Sequence, residues 1–272
     1  MSKTNIPWAT DSINPIRTKD GGYHCTKVSE GCERCYAEGI NMRFGNHKPF
    51  DFASTEFILD EKPFEKLKTA KKPKRVFLQS MGDIAHPDVP ENMIRRVWEL
   101  MRELNRHTFL VLTKRPARLH ELLNRWGWNV RDVYDQRPLP NVWIGVTAEN
   151  QRRADERIPI LLQIPAVVHW LSYEPALGPL VVGRVKGNVY RPWLDIPSLQ
   201  HPVPLDWVVC GCETGPGARP MDESWVRSMK NQCVDSRTAF FLKAMMVNGK
   251  KVEMPELDGK VWAEYPKVGV AS

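Results

Sequence analysis

The chain has 272 residues, 42% of them hydrophobic and 26% charged, which is enough apolar material for a core of ordinary size and too much for a disordered chain. Its 39 Lys and Arg exceed its 32 Asp and Glu, giving a net charge of +7 that suits a polyanionic partner such as nucleic acid; a mildly basic soluble protein is the plainer alternative. No apolar run of about 18 residues occurs and the opening Met1-Ser-Lys-Thr-Asn-Ile-Pro7 carries no apolar leader, so a membrane span and secretion are disfavoured and a cytoplasmic location is expected.

Residues 1–55 form an irregular segment that carries three cysteines, and the first candidate strand is Glu56–Leu59. From about residue 75, short β-branched or aromatic runs alternate with longer amphipathic stretches. Strands are predicted at Arg75–Gln79, Thr108–Leu112, Asn141–Val146, Ala166–Leu171, Asp206–Cys210 and Ala239–Leu242. Helices are predicted between them at Glu91–Arg106, Ala117–Arg125, Asn150–Leu162 and Glu223–Cys233, each long enough for a right-handed crossover. Pro90, Pro116 and Pro175 fall at element boundaries. Alternation of this kind predicts an α/β fold with parallel strands, a barrel or partial barrel. One domain is expected over 1–272, with a cluster-bearing segment at 1–55, the barrel at 56–243 and a C-terminal extension at 244–272. The stretch Val182–Pro204, rich in Pro, Gly and Val, reads as an inserted loop or lid.

Cys25, Cys32 and Cys35 lie within eleven residues and Tyr36 follows the last of them. A structural zinc ion takes four protein ligands, whereas three thiolates on one loop leave a coordination position open, as a 4Fe-4S cluster with one exchangeable iron requires. Cys210, Cys212 and Cys233 complete the set of six. They read as buried free cysteines, with an auxiliary metal site as the less common alternative.

The residues that follow the predicted strands are polar in five cases: Ser80-Met81-Gly82-Asp83, Thr113-Lys114-Arg115, Thr147-Ala-Glu149-Asn150, Ser172-Tyr-Glu174 and Gly211-Cys-Glu213-Thr-Gly-Pro-Gly217. Strand C-termini are where α/β folds place reactive groups, although any one such cluster is equally a turn or a helix cap. Asp83 beside Gly82 suits an ammonium group, and Lys114 and Arg115 suit a carboxylate or phosphate. Glu149 and Glu174 suit ribose hydroxyls or a cationic centre, with helix-dipole complementation as the alternative for Glu149. The Gly211 to Gly217 exit matches neither G-x-G-x-x-G nor a P-loop, so no nucleotide triphosphate site is assigned.

With these residues in view, the chain resembles a phage-associated family of radical S-adenosylmethionine (SAM) enzymes, nearly end to end. The segments that carry the resemblance are 25–38, Gln79-Ser-Met-Gly-Asp83, Leu112-Thr-Lys-Arg-Pro116, Asn141-Val-Trp-Ile-Gly-Val-Thr147, Ala154-Asp-Glu-Arg-Ile-Pro159, Glu174-Pro-Ala-Leu-Gly-Pro-Leu180, Gly217-Ala-Arg-Pro-Met221 and Leu257-Asp-Gly-Lys-Val-Trp262. It implies a partial (β/α)6 TIM-like barrel, one 4Fe-4S cluster on Cys25, Cys32 and Cys35, and SAM bound along the strand ends by Tyr36, Ser80, Met81, Gly82, Asp83, Lys114, Thr147, Glu149, Ser172 and Glu174. Two departures stand out: six residues separate the first two cysteines where the superfamily has three, and Met81-Gly-Asp83 replaces its glycine-rich motif.

The most concrete activity the resemblance implies is phage DNA hypermodification by a 5'-deoxyadenosyl radical, isomerising an N-linked glycyl thymidine to the C-linked form. Glu213 and Lys243 are then the candidate catalytic residues, Glu213 as acid or base, while Lys243, Arg219, Lys114 or Arg115 would hold the glycyl carboxylate or DNA phosphates. DNA and a flavodoxin or ferredoxin as electron donor are the implied partners. The alternatives are a radical SAM enzyme that modifies another nucleoside, RNA or peptide, and a non-enzymatic zinc-bearing nucleic-acid-binding protein.

Overall fold

The computed structural model of the chain describes residues 2–128, 138–182, 205–215 and 217–267. The predicted loop or lid therefore lies, from residue 183 onward, outside the described residues. The fold is a mixed α/β one whose sheet strands are mostly parallel. The chain divides into two compact units, Met1–Ile144 with Pro165–Val167, and Gly145–Ile164 with Val168–Ser272.

The first unit contains β1 (Ser2–Lys3), β2 (Asp11–Ile13), β3 (Ile16–Thr18), α1 (Tyr36–Phe44), β4 (Phe57–Leu59), α2 (Lys62–Lys68), β5 (Arg75–Leu78), α3 (Glu91–Glu103), β6 (Thr108–Thr113) and α4 (Pro116–Arg125). β2, β5 and β6 run parallel, and β1 pairs antiparallel at the edge of β2. The expected strand at 56–59 forms, but it pairs antiparallel with β3 in a separate two-stranded sheet, and the three-residue β2 takes the place beside β5. In α3, Ile94, Val97, Trp98 and Met101 are buried at three- and four-residue spacing, the apolar stripe that fixes a helix on a sheet.

β7 (Val142–Thr147) is shared at the division, and all six of its residues are buried. The second unit continues with α5 (Gln151–Leu161), β8 (His169–Tyr173), β9 (Trp207–Gly211), α6 (Glu223–Ser236), β10 (Ala239–Val247), β11 (Lys250–Glu253), β12 (Glu256–Leu257) and β13 (Lys260–Val261). β8, β9 and β10 are parallel, and every residue of β8 and β9 is buried, which is why these strands read as continuous apolar runs without alternation. Asn150 caps α5 by accepting from Arg153 N at 3.1 Å, and Asp222 caps α6 by accepting from Ser224 N at 2.7 Å.

The chain after Lys243 is more regular than its sequence rhythm suggests. β10 continues to Val247 and turns through Asn248 and Gly249, both at positive φ, into β11. Asp258 and Gly259, also at positive φ, join β12 to β13. Asn-Gly and Asp-Gly are the pairs that accept the two left-handed positions of a type I′ hairpin. The tail then returns alongside β10, with Leu242 N donating to Trp262 O at 2.9 Å and Glu264 N to Phe240 O at 3.1 Å. Among the described residues, no helix is long and apolar enough to cross a membrane.

Candidate functional site

In the first unit the cysteine-bearing segment lies against the C-terminal ends of β5 and β6. Cys32 ends a single 3-10 turn, Glu30–Cys32, and Cys35 occupies the N-cap position of α1. All three thiols are free and half-buried. Cys25 and Cys35 pack on one small apolar cluster of Ala37, Phe50 and Met81, which ties the loop to the residue that follows Ser80. Tyr36 Oη donates to the Ser80 carbonyl at 2.8 Å, so the aromatic residue after the last cysteine reaches the strand end directly.

The strand-end turn is held from beneath. Gln79, at a φ of 57°, gives its side chain to the main chain of Ile16 in both directions, accepting from N at 3.2 Å and donating to O at 2.8 Å. Asn14 Oδ1 accepts from Met81 N at 2.8 Å and from Ser80 Oγ at 3.3 Å. A Cβ at Gly82 would stand 3.3 Å from His24 O, a close approach that favours glycine there.

Asp83 is the hub. Its buried carboxylate accepts from Thr113 Oγ1 at 2.7 Å, Ala85 N at 3.0 Å, Lys114 N at 2.9 Å and Arg115 Nη1 at 3.0 Å, which uses about all four acceptor positions of a carboxylate. Arg115 in turn donates to Thr26 O at 2.8 Å and Thr26 Oγ1 at 2.9 Å, and its Nη1 lies 3.8 Å from Cys25 Sγ. Burial pushes the Cys25 thiol up to about 11, with Asp83 adding to the rise and Arg115 opposing it.

His24 and His86, far apart in the chain, carry no spacing signal that marks them as a pair. Here His24 Nδ1 donates to Phe50 O at 2.9 Å while Nε2 lies 3.0 Å from Asp88 Oδ2. His86 Nδ1 accepts from Asp88 N at 3.2 Å, which leaves the proton on Nε2 to donate to Thr26 Oγ1 at 2.9 Å. Burial, with the charges of Arg115 and His24, holds His86 down to about 4, so the ring is neutral at pH 7. Among the described residues the ligand atoms of His24, His86 and Asp88 converge within 4.8 Å of one another, and the three thiols do not form such a group.

The remaining predicted residues lie in the second unit. Glu149 is fully buried at the end of β7 and receives Arg157 Nη1 at 3.1 Å, and that guanidinium also donates to Thr147 O at 2.7 Å. Ser172 is buried and its carbonyl accepts from Ala148 N at 3.0 Å. Glu174 pairs with Lys243 across the end of β9, where a Cβ on Gly211 would stand 3.1 Å from the Glu174 carboxyl carbon. Glu213 is gripped by Arg219, which donates from its backbone N at 2.8 Å and from Nε at 3.0 Å. Gly215 and Gly217 are both at positive φ. Cys210, Cys212 and Cys233 are buried, and burial raises all three thiols.

The chain is an α/β protein in which each unit has polar groups at the C-terminal ends of its parallel strands, the first unit with a loop of three free thiols beside them. The chain belongs to the family described as "Protein of unknown function (DUF5131)", whose model matches residues 3–266. No curated protein and no solved structure matches it.

Proposed function

We propose that the chain is a radical SAM enzyme on a partial (β/α)6 barrel, with Cys25, Cys32 and Cys35 as ligands of one 4Fe-4S cluster. The observation that supports this most is the Tyr36 to Ser80 hydrogen bond at 2.8 Å, which joins the cysteine segment to the β5 strand end. The donor set fits the group: three soft, half-buried, disulfide-free thiols on one loop, the third at the N-cap of α1. Binding of this kind deprotonates the thiols and orders the loop that carries them.

A cluster held by Cys25, Cys32 and Cys35 would supply the electron for reductive cleavage of SAM and, through it, hydrogen-abstraction chemistry. The chain's own residues do the positioning. Asp83, with its acceptor positions taken up, acts through Lys114 and Arg115 and does not chelate a ligand itself; Arg115 fixes the main chain at Thr26, next to Cys25. Met81 and Gly82 present a turn whose backbone is set by Asn14 and Gln79, and Ser80 and Tyr36 close it. In the second unit Glu149 and Arg157 set the carbonyl of Thr147. The Glu174–Lys243 and Glu213–Arg219 pairs, with Ser172, are that unit's candidates for contact with cofactor or substrate.

The substrate reading that goes with this is a nucleic acid, for which the +7 net charge is the support, and specifically conversion of N-linked to C-linked glycyl thymidine in phage DNA. A flavodoxin or ferredoxin of the infected host's cytoplasm would supply the electron. The test is anaerobic reconstitution with iron and sulfide, followed by incubation with SAM, reductant and glycyl-thymidine DNA. About four iron and four sulfide per chain are expected, lost in Cys32→Ala, with 5'-deoxyadenosine formed and a product of changed connectivity by nucleoside fragmentation. Iron and sulfide equally retained when all three cysteines are replaced would refute the cluster; SAM cleavage with unchanged connectivity would refute the isomerase and leave the radical enzyme standing.

A further inference from the structure

We propose that His24 Nε2, His86 Nδ1 and Asp88 Oδ2 form a second, mononuclear site for a divalent transition ion, with zinc the ion that best matches the donor set. The carboxylate oxygen lies 3.0 Å from the His24 nitrogen and 3.9 Å from the His86 nitrogen. Ligands about 2.1 Å from a tetrahedral zinc stand about 3.4 Å apart, so the two observed separations bracket the value and small side-chain shifts reach it. All three ligand atoms lie within 4.8 Å of one another.

The remote nitrogens argue for a metal over a simple ion pair. A metal-binding histidine directs its lone pair inward while its other ring N–H is fixed by an acceptor outside the site. His24 meets this through Phe50 O at 2.9 Å and His86 through Thr26 Oγ1 at 2.9 Å. An ion pair with Asp88 needs only one histidine. The second imidazole is also buried, its ring centroid is 4.7 Å from the first, and its tautomer points Nδ1 at the same carboxylate. Among the described residues, the bond a metal would displace at His86 Nδ1 is the 3.2 Å contact from Asp88 N.

The site is held from several directions. His86 N donates to Asp83 O at 2.9 Å, and Thr26 is clamped by Arg115 from Asp83. Two histidines and one carboxylate give three protein ligands, so a fourth position remains for water on the side where Asp88 is exposed. Bound there, zinc ties residues 24–26 to residues 86–88.

The full chain and its Cys25→Ser/Cys32→Ser/Cys35→Ser variant are titrated with zinc by calorimetry, and with cobalt(II) as an optical probe. The triple variant is expected to bind one zinc and to give visible cobalt bands without the sulfur-to-metal charge-transfer band. In that background Asp88→Asn, a near-isosteric change at a half-exposed position, and His86→Ala should each weaken zinc at least about tenfold. Thr26→Val, which leaves the ligands intact, should weaken it by about ten- to a hundredfold. Failure of the triple variant to bind zinc, or binding unmoved by both Asp88→Asn and His86→Ala, would overturn the site. Because that variant has none of the cluster thiols, either result is independent of the iron–sulfur proposal.

Discussion

Replacing Arg115 by methionine removes the cation from a nearly closed network while keeping a stem of similar reach. Asp83 is 8% exposed and the Arg115 side chain 12%, so their 3.0 Å ion pair is screened little by water. Removing one partner of a buried pair costs about 3–5 kcal/mol, because the other charge is left in a poor solvent. Three donors remain on Asp83, from Thr113, Ala85 and Lys114, which places the expected loss near the lower end, at about 3 kcal/mol. That corresponds to about a hundredfold change in the folding equilibrium. The measurement is urea denaturation under reducing conditions, comparing midpoints at constant slope. The Asp83→Asn/Arg115→Met double variant removes the stranded charge as well, so it should be less destabilised than the sum of the two single changes by about 1–3 kcal/mol. A loss under about 1 kcal/mol for Arg115→Met, or strict additivity in the cycle, would refute the hub role assigned to Asp83.

Other expectations test separate parts of the molecule. Asp20 joins the segment before the cysteines to the one after α1, and its hydrogen bonds from Thr18, Asn46 and Lys48 hold its carboxyl down to about 2 against the opposing effect of burial. Since the unfolded chain takes up this proton first as pH falls, the Asp20 contribution is complete above about pH 4 and disappears as pH drops through about 2. Asp20→Asn should therefore be less stable than wild type at neutral pH, and the gap in denaturation midpoint should close at the acid end. Gly145→Ala should cost about 1–3 kcal/mol, seen as a lower Tm, because its Cβ would stand 2.5 Å from the buried indole of Trp170, which is itself packed on Trp207. Alanine at Cys210, Cys212 and Cys233 should leave reconstituted iron unchanged while lowering stability; loss of iron would show that these buried thiols ligate metal after all.

Much of the central pattern was legible along the chain. The strands predicted from residue 75 onward appear within a few residues of their expected places, because strands covered on both faces are unbroken apolar runs. Helices α3 and α4 begin where Pro90 and Pro116 mark boundaries, whereas Pro159 lies inside α5. Less legible was β2, only Asp11–Ile13, whose membership of the sheet rests on register with β5 and on no periodicity of its own. The two C-terminal hairpins did leave a local signal, the pairs Asn248-Gly249 and Asp258-Gly259, which outweighs the loss of strand rhythm around them.

For the candidate site the division is sharper. Sequence by itself determined the trio of closely spaced thiols and the polar character of the strand ends, because both are set by residue type and short-range spacing. Tertiary structure decided which of those polar groups remain available: Asp83 and Glu149, attractive as ligand-binding carboxylates on the page, are saturated or paired by Arg115 and Arg157. It also decided that His24 and His86, 60-odd residues apart in the chain, share Asp88. A side chain's chemistry travels with its letter, but its free valence depends on which donors and acceptors the fold brings within about 3 Å, and that is a property of packing.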